Sequence, residues 1–396
     1  MNRLFSSLAA AVCLGTAALA GSAGAMGTAQ AEGMKIGFVA TLSGPASLPG
    51  RHMRDGFLLA VKQKNDRLGG LQTKVVVVDD KLDIEVARQS VANLINEEKV
   101  DFLAGITFNN IMLAVYPEVV KSETIFIGAG AGPGYIAGKG CSRYFFSTAS
   151  QSDQNNEAMG RYARERGYGR VMLLAPDYRG AKEAIAAFKR HYSGEIVGEF
   201  YSKLGQTDFS ADIAMIGKME PDAVFTFMPG QMGVSLVEQF AKAGLKADIA
   251  FLSAYTLDET TLPVMKDAAE GLLSVSDWSP DLNTEENNRF VRAFEDEYGY
   301  EPSAYAAQGY DAAMLINGAV GMTGSVAEKK VLLSSLRAAP FQSVRGDFRF
   351  NSNQFPVHDF YLVEAIRRGS DKYVTEMKTK VFDDVGDSYA GSCRMN

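Results

Sequence analysis

From Met34 onward the chain alternates between short, continuous apolar runs and longer stretches of helical spacing. KIGFVA is followed by a polar turn and then by RHMRDGFLLAVKQKN, where Met53, Phe57, Ala60 and Val61 fall on one helical face. KVVVVDD precedes DIEVARQSVANLINEEK, in which Ile84, Ala87, Val91, Leu94 and Ile95 align in the same way. VDFLAGI, a further helix and ETIFIGA complete this first series. Uninterrupted apolar strands separated by helices predict a parallel sheet covered on both faces.

The series restarts at Gln151. A helix through Arg166 leads to RVMLLAP, AKEAIAAFKRHY, EIVGEFY, a helix from Asp208, DAVFTFM, a helix from Gln231, IAFLSA and EGLLSVSDW. Helical spacing dominates from Thr284 to Arg337, and two late strands are expected in GDFRF and VHDFYLVEA. The predicted fold class is therefore α/β, with two Rossmann-like parallel-sheet lobes joined by three hinge crossings. Those crossings fall near residues 147–154, 274–280 and 348–357. The expected organisation is a signal peptide at 1–31, lobe 1 at 32–150 and 278–347, and lobe 2 at 151–277 and 348–373. Residues 374–396 are expected to form a C-terminal tail that returns to lobe 1. In open α/β sheets ligands bind outside the carboxyl ends of the strands. The loops TLSGPASLPGRH, GITFNN, GAGAGPGY, APDYRG, FMPGQM and SAYTLD are thus the expected cleft lining.

The first residues set the compartment. An early Arg3, an apolar middle and the small residues ending Ala29-Gln30-Ala31 have the form of a secretory signal peptide cleaved after Ala31. The alternative is a retained anchor, which the short, alanine-rich apolar part disfavours. No later segment offers about 18 consecutive apolar residues, so an exported, periplasmic protein is expected. A formal net charge of −7 argues against nucleic acid as a partner, since phosphate binding needs clustered Lys and Arg. Removal of the signal peptide leaves Cys141 and Cys393, and an even count in an oxidising compartment predicts a disulfide. Two unpaired buried thiols are the alternative.

Enzyme chemistry finds little support. The histidines are His52, His191 and His358, with no HExxH pattern and no Cys-His cluster of zinc spacing. Neither a G-x-S-x-G elbow nor a G-x-x-x-x-G-K-[ST] loop is present. The glycine-rich stretch IGAGAGPGY fails the dinucleotide register. Counted from Gly128 and Gly130, the third glycine position holds Pro133; counted from Gly130 and Gly132, it holds Tyr135. Asp79-Asp80 reads as a solvated strand end without supporting ligands, and His358 as a structural or hinge residue in an alternating strand. No catalytic residue, metal site or cofactor is expected.

MKIGFVATLSGPASLPG, DRLGGLQTKVVVVDD, VDFLAGITFNNIMLAVYPEV, FIGAGAG, RYFFSTASQSDQ, TDFSADIAMIGKMEPDAV, AEGLLSV and YAAQGYDAAMLI resemble, in order and spacing, the type I periplasmic binding proteins. Within them the chain is similar to the leucine/isoleucine/valine-binding protein family that serves ABC importers. The likeness runs through nearly the whole chain after the signal peptide. It implies a monomeric carrier whose lobes close over a small ligand, a closed state that a permease in the inner membrane reads. It implies no catalysis. A ligand-sensing receptor subunit on the same fold and a secreted α/β enzyme are the alternatives of different class.

The resemblance also implies where a ligand's carboxylate is held, by small hydroxyl residues and backbone N–H groups of the first lobe. The matching places here are Asn109-Asn110 and the loop Ala129, Gly130, Ala131 and Gly132. Asn donates two hydrogen bonds, glycine permits close backbone approach, and a following helix N-terminus adds a favourable dipole. Helix capping is the alternative role for Asn109. The sequence departs from the family where Pro49 replaces a tyrosine and where Arg179 follows Asp177-Tyr178. It departs again where Tyr255 stands in place of the glutamate that meets a ligand's ammonium group. Without that acid a buried ammonium is left unpaired, which disfavours an α-amino acid. The expected ligand is an aromatic carboxylate of the benzoate or cinnamate type, with a branched-chain or other amino acid as the alternative. Arg179 is expected to grip the carboxylate in a bidentate fork. Tyr178, Tyr255 and Phe108 would wall the ring, Met228 would adapt to its shape, and Arg51 would stand at the cleft mouth.

Overall fold

The runs KIGFVA, VDFLAGI and RVMLLAP are largely buried in the computed structural model, which describes residues 33–395, whereas KVVVVDD is only half-buried. The expected signal peptide lies outside the described residues. The first series comprises β1 (Met34–Ala40), α1 (Ser47–Gln63), β2 (Arg67–Leu68), β3 (Leu71–Asp79), α2 (Ile84–Asn96), β4 (Phe102–Gly105), α3 (Asn109–Lys121), β5 (Ile125–Gly128), α4 (Gly134–Ala137) and β6 (Phe145–Ser147). Their sheet has the order β2-β3-β1-β4-β5-β6 and is parallel except for the β2–β3 hairpin. Alternation along β1 sorts its side chains. Phe38 packs with Phe57 of α1 on one face, while Val39 packs with Ala87 and Val91 of α2 on the other. Asp83 caps α2 by accepting from the Glu85 and Val86 N–H groups.

Helix α1 begins four residues before the expected start at Arg51, because Pro49 in the first turn gives up no intrahelical hydrogen bond. His52 is therefore inside the helix and buried among Tyr300 and Phe294, away from any cleft mouth. Asp79 and Asp80 are not merely solvated. Asp80 is fully buried and accepts from Thr41 Oγ1 at 2.6 Å, and Asp79 accepts from the Leu42 N–H at 2.8 Å. The pair fastens the loop after β1.

The second series comprises α5 (Gln154–Arg166), β7 (Arg170–Pro176), α6 (Arg179–His191), β8 (Glu195–Ser202), α7 (Ser210–Met219), β9 (Ala223–Thr226), α8 (Gln231–Lys242), β10 (Ala250–Ala254), α9 (Leu262–Met265) and β11 (Leu273–Ser276). After them come α10 (Glu285–Tyr298), α11 (Ala304–Thr323), α12 (Lys329–Arg337), β12 (Arg349–Phe350), β13 (Pro356–Arg368) and β14 (Lys372–Val385). Strands β8, β7, β9, β10 and β11 are parallel neighbours, and β13 joins β11 antiparallel with β12 and β14 beside it. Helix α11 packs back against the first sheet. Its crossing with α1 is close enough that a Cβ at Gly56 would lie 2.0 Å from the Ala306 carbonyl oxygen, and one at Gly309 would lie 2.1 Å from that of Met53.

The tail expectation needs correcting. Residues 374–385 are not a tail, because β14 pairs with β13 over its length and extends the second sheet. Blocks of buried and exposed residues along β14 are held in the sheet by its pairing with β13, so pairing wins over return. Only beyond Gly386 does the chain reach the first sheet's neighbourhood. There Asp387 accepts from Asn353 at 2.8 Å, Tyr389 packs under Gly134, and Cys393 is bonded to Cys141 across a separation of 252 residues. That disulfide fulfils the expectation from cysteine count. No helix among the described residues is long and apolar enough to cross a membrane.

Candidate ligand-binding site

Two loop sets face each other at the carboxyl ends of the strands. On the first sheet the glycine loop after β5 is occupied with its own neighbours. The Ala129 N–H donates to the Gly105 carbonyl at 3.0 Å and the Ala131 N–H to the Ile106 carbonyl at 3.0 Å. The Gly132 N–H donates to Asn109 Oδ1 at 3.1 Å and Ser152 Oγ at 3.2 Å. Of these four residues, only Gly130 leaves its N–H without a protein partner among the described residues. The glycines serve close approach between segments of the chain itself, since a Cβ at Gly132 would lie 2.3 Å from the Ser150 carbonyl oxygen. Asn109 opens α3 but caps nothing. Its side chain holds Gly132 and Ser152 together, with Nδ2 donating to Ser152 Oγ at 3.1 Å. The α3 N-terminus carries no side-chain cap, and Ile106 just before it is strained at φ 66°.

The second sheet contributes the other wall. Tyr255 follows β10 in a left-handed conformation, φ 60°. Such a backbone costs a bulky residue on the order of 1–3 kcal/mol and occurs where the surroundings enforce it. Its ring meets Phe227 edge-on at 5.7 Å. Beyond it lies a cavity of about 30 Å³ lined by Asn155, Tyr255, Asp258, Glu259, Tyr305 and Gln308, among others. Tyr305 and Gln308 come from the first turns of α11, which packs on the first sheet, so the cavity lies between the two walls. Burial pushes the Tyr305 phenol far above its usual range, with Asp258, Tyr255, Asp277 and Tyr178 adding to the shift. Burial raises Asp258 as well, against the hydrogen bonds from Thr260. Glu259 is pushed up to about 7 by burial, although Thr375 Oγ1 donates to it at 2.5 Å.

Behind this cavity a buried ionic cluster ties together the three segments that run between the sheets. Arg345 donates to Asp277 Oδ2 at 3.1 Å and Asp311 Oδ2 at 3.0 Å, and also to the Thr148 carbonyl. Ser150 Oγ bonds both Asp277 and His358 Nε2, and Gln308 Nε2 donates to Asp277 at 3.1 Å. Burial alone would raise Asp277, but Arg345 and its other partners hold it below the usual carboxylate range. His358 is lowered to about 4 by burial, with Arg345 reinforcing the shift, so its imidazole is neutral at ordinary pH. His358 is thus a structural partner of this cluster, in keeping with the reading from its strand.

The model of one family, described as periplasmic binding protein, matches residues 33–371. The chain belongs to that family. It is a family of transporter solute-binding proteins, not of enzymes. A relative from Brucella melitensis biotype 1, Leu/Ile/Val-binding protein homolog 6, is 24% identical over 92% of this chain and 95% of its own length. Among solved structures, an ABC-transporter solute-binding protein of R. palustris in complex with benzoate has a TM-score of 0.84 at 27% identity, covering 92% of this chain and all of that one. A second, from Rhodopseudomonas palustris BisB5 in complex with 3,4-dihydroxybenzoic acid, has a TM-score of 0.81 at 27% identity over 90% of this chain and 98% of that one.

In this periplasmic binding protein the sequence-predicted residues fall in different places. Tyr255 lines the cavity, while Tyr178, outside that lining and 36% exposed, is close enough to Tyr305 to add to the shift of its phenol. Phe108 is half-buried as the residue before α3, and Asn110 is exposed next to it. Ala129, Ala131, Gly132 and Asn109 form scaffold. Met228 and Arg179 are placed otherwise than expected. Met228 is fully buried in the core under α8, because side-chain alternation after β9 turns Phe227 toward Tyr255 and Met228 away. Arg179 is the first residue of α6, its side chain 86% exposed and paired with Glu183 one turn along at 2.8 Å. Arg51 is exposed and donates to the Leu42 carbonyl at 2.9 Å. Sequence reasoning missed Asn155, Phe227, Asp258, Tyr305 and Gln308. Tyr305 and Gln308 share one face of α11 by their i,i+3 spacing, a signal that was available.

Proposed function

We propose that this periplasmic binding protein carries a small aromatic carboxylate, closes over it in the cleft between its sheets, and delivers it to an ABC-transporter permease in the inner membrane. The observation that carries the reading is the group of phenol rings Tyr178, Tyr255 and Tyr305, gathered where strand ends of one sheet meet a helix of the other. Aromatic walls with few polar groups suit a flat ring. Two solute-binding proteins at 27% identity, holding benzoate and 3,4-dihydroxybenzoic acid, support it.

The carboxylate is assigned to the first wall, at the unpartnered Gly130 N–H and the uncapped N-terminus of α3, where backbone donors and the helix dipole favour an anion. Arg179, held by Glu183 in solvent, has no part in this assignment. The cavity itself is far smaller than the roughly 300 Å³ or more of a drug-sized pocket. Entry of a ring therefore requires the walls to part, and closure follows ligand binding as a population shift. The protein acts in this proposal as a monomer in the periplasm.

One observation favours a second reading. Asp258 is a half-buried carboxylate lining the cavity, and a ligand's ammonium group would neutralise it, as in a branched-chain amino acid. A thermal-shift panel on purified mature protein separates the two. Benzoate, 4-hydroxybenzoate and cinnamate are compared with leucine, isoleucine and valine at equal concentration, a bound ligand raising the melting temperature by mass action. The aromatic acids are expected to stabilise. Stabilisation by the amino acids alone overturns the aromatic assignment in favour of the second reading.

A further inference from the structure

Two buried amides line the cavity. Asn155 and Gln308 are 6% and 7% exposed, and Asn155 Oδ1 and Gln308 Oε1 have no partner among the described residues. The Gln308 amide orientation is fixed, because Nε2 donates to Asp277 at 3.1 Å and a flip would set a carbonyl against a carboxylate. The Asn155 amide lies within reach of the Tyr255 hydroxyl. The lining also carries the Tyr255 and Tyr305 hydroxyls and the carboxyl groups of Asp258 and Glu259, and Thr260 and Thr375 donors already satisfy one oxygen of each carboxyl. Asn155 and Gln308 thus present carbonyl oxygens that receive no hydrogen bond among the described residues. Buried acceptors are costly when unmatched and favourable when a ligand supplies the hydrogen.

We propose that this cavity is a subsite for a hydrogen-bond-donating substituent of the ligand, a phenolic hydroxyl carried by the aromatic ring on the side away from its carboxylate. Three observations converge: two unpartnered buried carbonyl oxygens, a void of about 30 Å³ that admits a hydroxyl but not a ring, and its position beside the tyrosine rings. The inference rests on the aromatic-carboxylate reading and narrows it. A site built to pair with a substrate hydroxyl discriminates strongly against the analogue that lacks it, because the protein's own groups are then left unpaired. An ammonium group supplies the same donor chemistry, and the test distinguishes the two sources.

Isothermal titration is run on two matched series: benzoate, 4-methoxybenzoate, 4-hydroxybenzoate and 4-aminobenzoate, then leucine and 4-methylpentanoate. The hydroxyl and amino compounds are expected to bind at least tenfold tighter than benzoate and 4-methoxybenzoate. Asn155→Leu is expected to bring that ratio below threefold. Gln308→Met serves as the second variant, and the melting temperature of each verifies folding. Equal binding of donor and non-donor members in every series that binds overturns the subsite. Binding by leucine, none by 4-methylpentanoate and none by any benzoate leaves the subsite standing, assigns it to an ammonium group and overturns the aromatic reading. Failure of all six compounds to bind overturns both.

Discussion

The Arg345 cluster and the Tyr255–Glu259 cavity are neighbours that share Asp277 and Gln308, yet they treat buried polarity in opposite ways. In the first, Asp311 is met by Arg345, by Ser343 at 2.5 Å and by the Val344 N–H at 3.1 Å, and Asp277 has Arg345, Ser150 and Gln308. In the second, two carbonyl oxygens are left over and a tyrosine holds a strained backbone. Full satisfaction marks groups that specify how segments join; unmatched groups mark a surface kept for something else. The two regions should therefore respond differently to substitution.

The largest effect is expected at the satisfied cluster. Arg345→Ala leaves two carboxylates buried without their cation and is expected to cost about 3–5 kcal/mol in urea unfolding. A loss below about 1 kcal/mol, within the range of an exposed pair, would remove the contrast. Next comes Glu259, whose folded carboxyl is raised from 4.5 to about 7 by burial. The folded state then holds a proton that the unfolded state has released. The stabilisation from this group is complete below the unfolded pKa of 4.5 and is lost as pH rises through about 7. Glu301, raised to about 7 by burial with Glu295 reinforcing it, titrates over the same window. The difference between wild type and Glu259→Gln isolates the one group. The variant should lack a fall in stability on the order of 2–3 kcal/mol between those limits, and identical pH profiles of melting temperature would contradict this.

A smaller change is expected where the polarity is unmatched. Asn155→Leu removes a leftover acceptor and should shift the unliganded stability by no more than about 1 kcal/mol, in either direction. A loss as large as that of Arg345→Ala would make Asn155 structural. The smallest effect belongs to Arg179, which stands in solvent on the far side of this comparison. Arg179→Ala is expected to change the affinity for 4-hydroxybenzoate by less than threefold, and a tenfold loss by calorimetry would restore the clamp that its sequence position implied.

What the chain discloses about itself follows the same division. The sheets were readable because KIGFVA, VDFLAGI and RVMLLAP are apolar without interruption, a pattern with one physical outcome. The disulfide followed from cysteine count and compartment, and the family from the order of its loops. The role of Asn109 in holding Gly132 and Ser152 together was not legible, because these partners lie 23 and 43 residues away, a distance over which composition says nothing. Met228 was preferred to Phe227 because the loop after β9 gives no register by itself, and one residue of register exchanges core for cleft. Arg345 sits in an irregular stretch between α12 and β12, where no periodicity announces a buried charge. Tyr305 and Gln308 were within reach, since their spacing places both on one face of a helix that opens at the cleft.

A crystal structure grown with 4-hydroxybenzoate tests the central claim most directly. The carboxylate is expected near the Gly130 N–H and the start of α3, the ring among Tyr178, Tyr255 and Tyr305, and the hydroxyl within hydrogen-bonding distance of Asn155 Oδ1 or Gln308 Oε1. A ligand seated with its carboxylate on Arg179, or with its hydroxyl in solvent and the cavity unvisited, would contradict it.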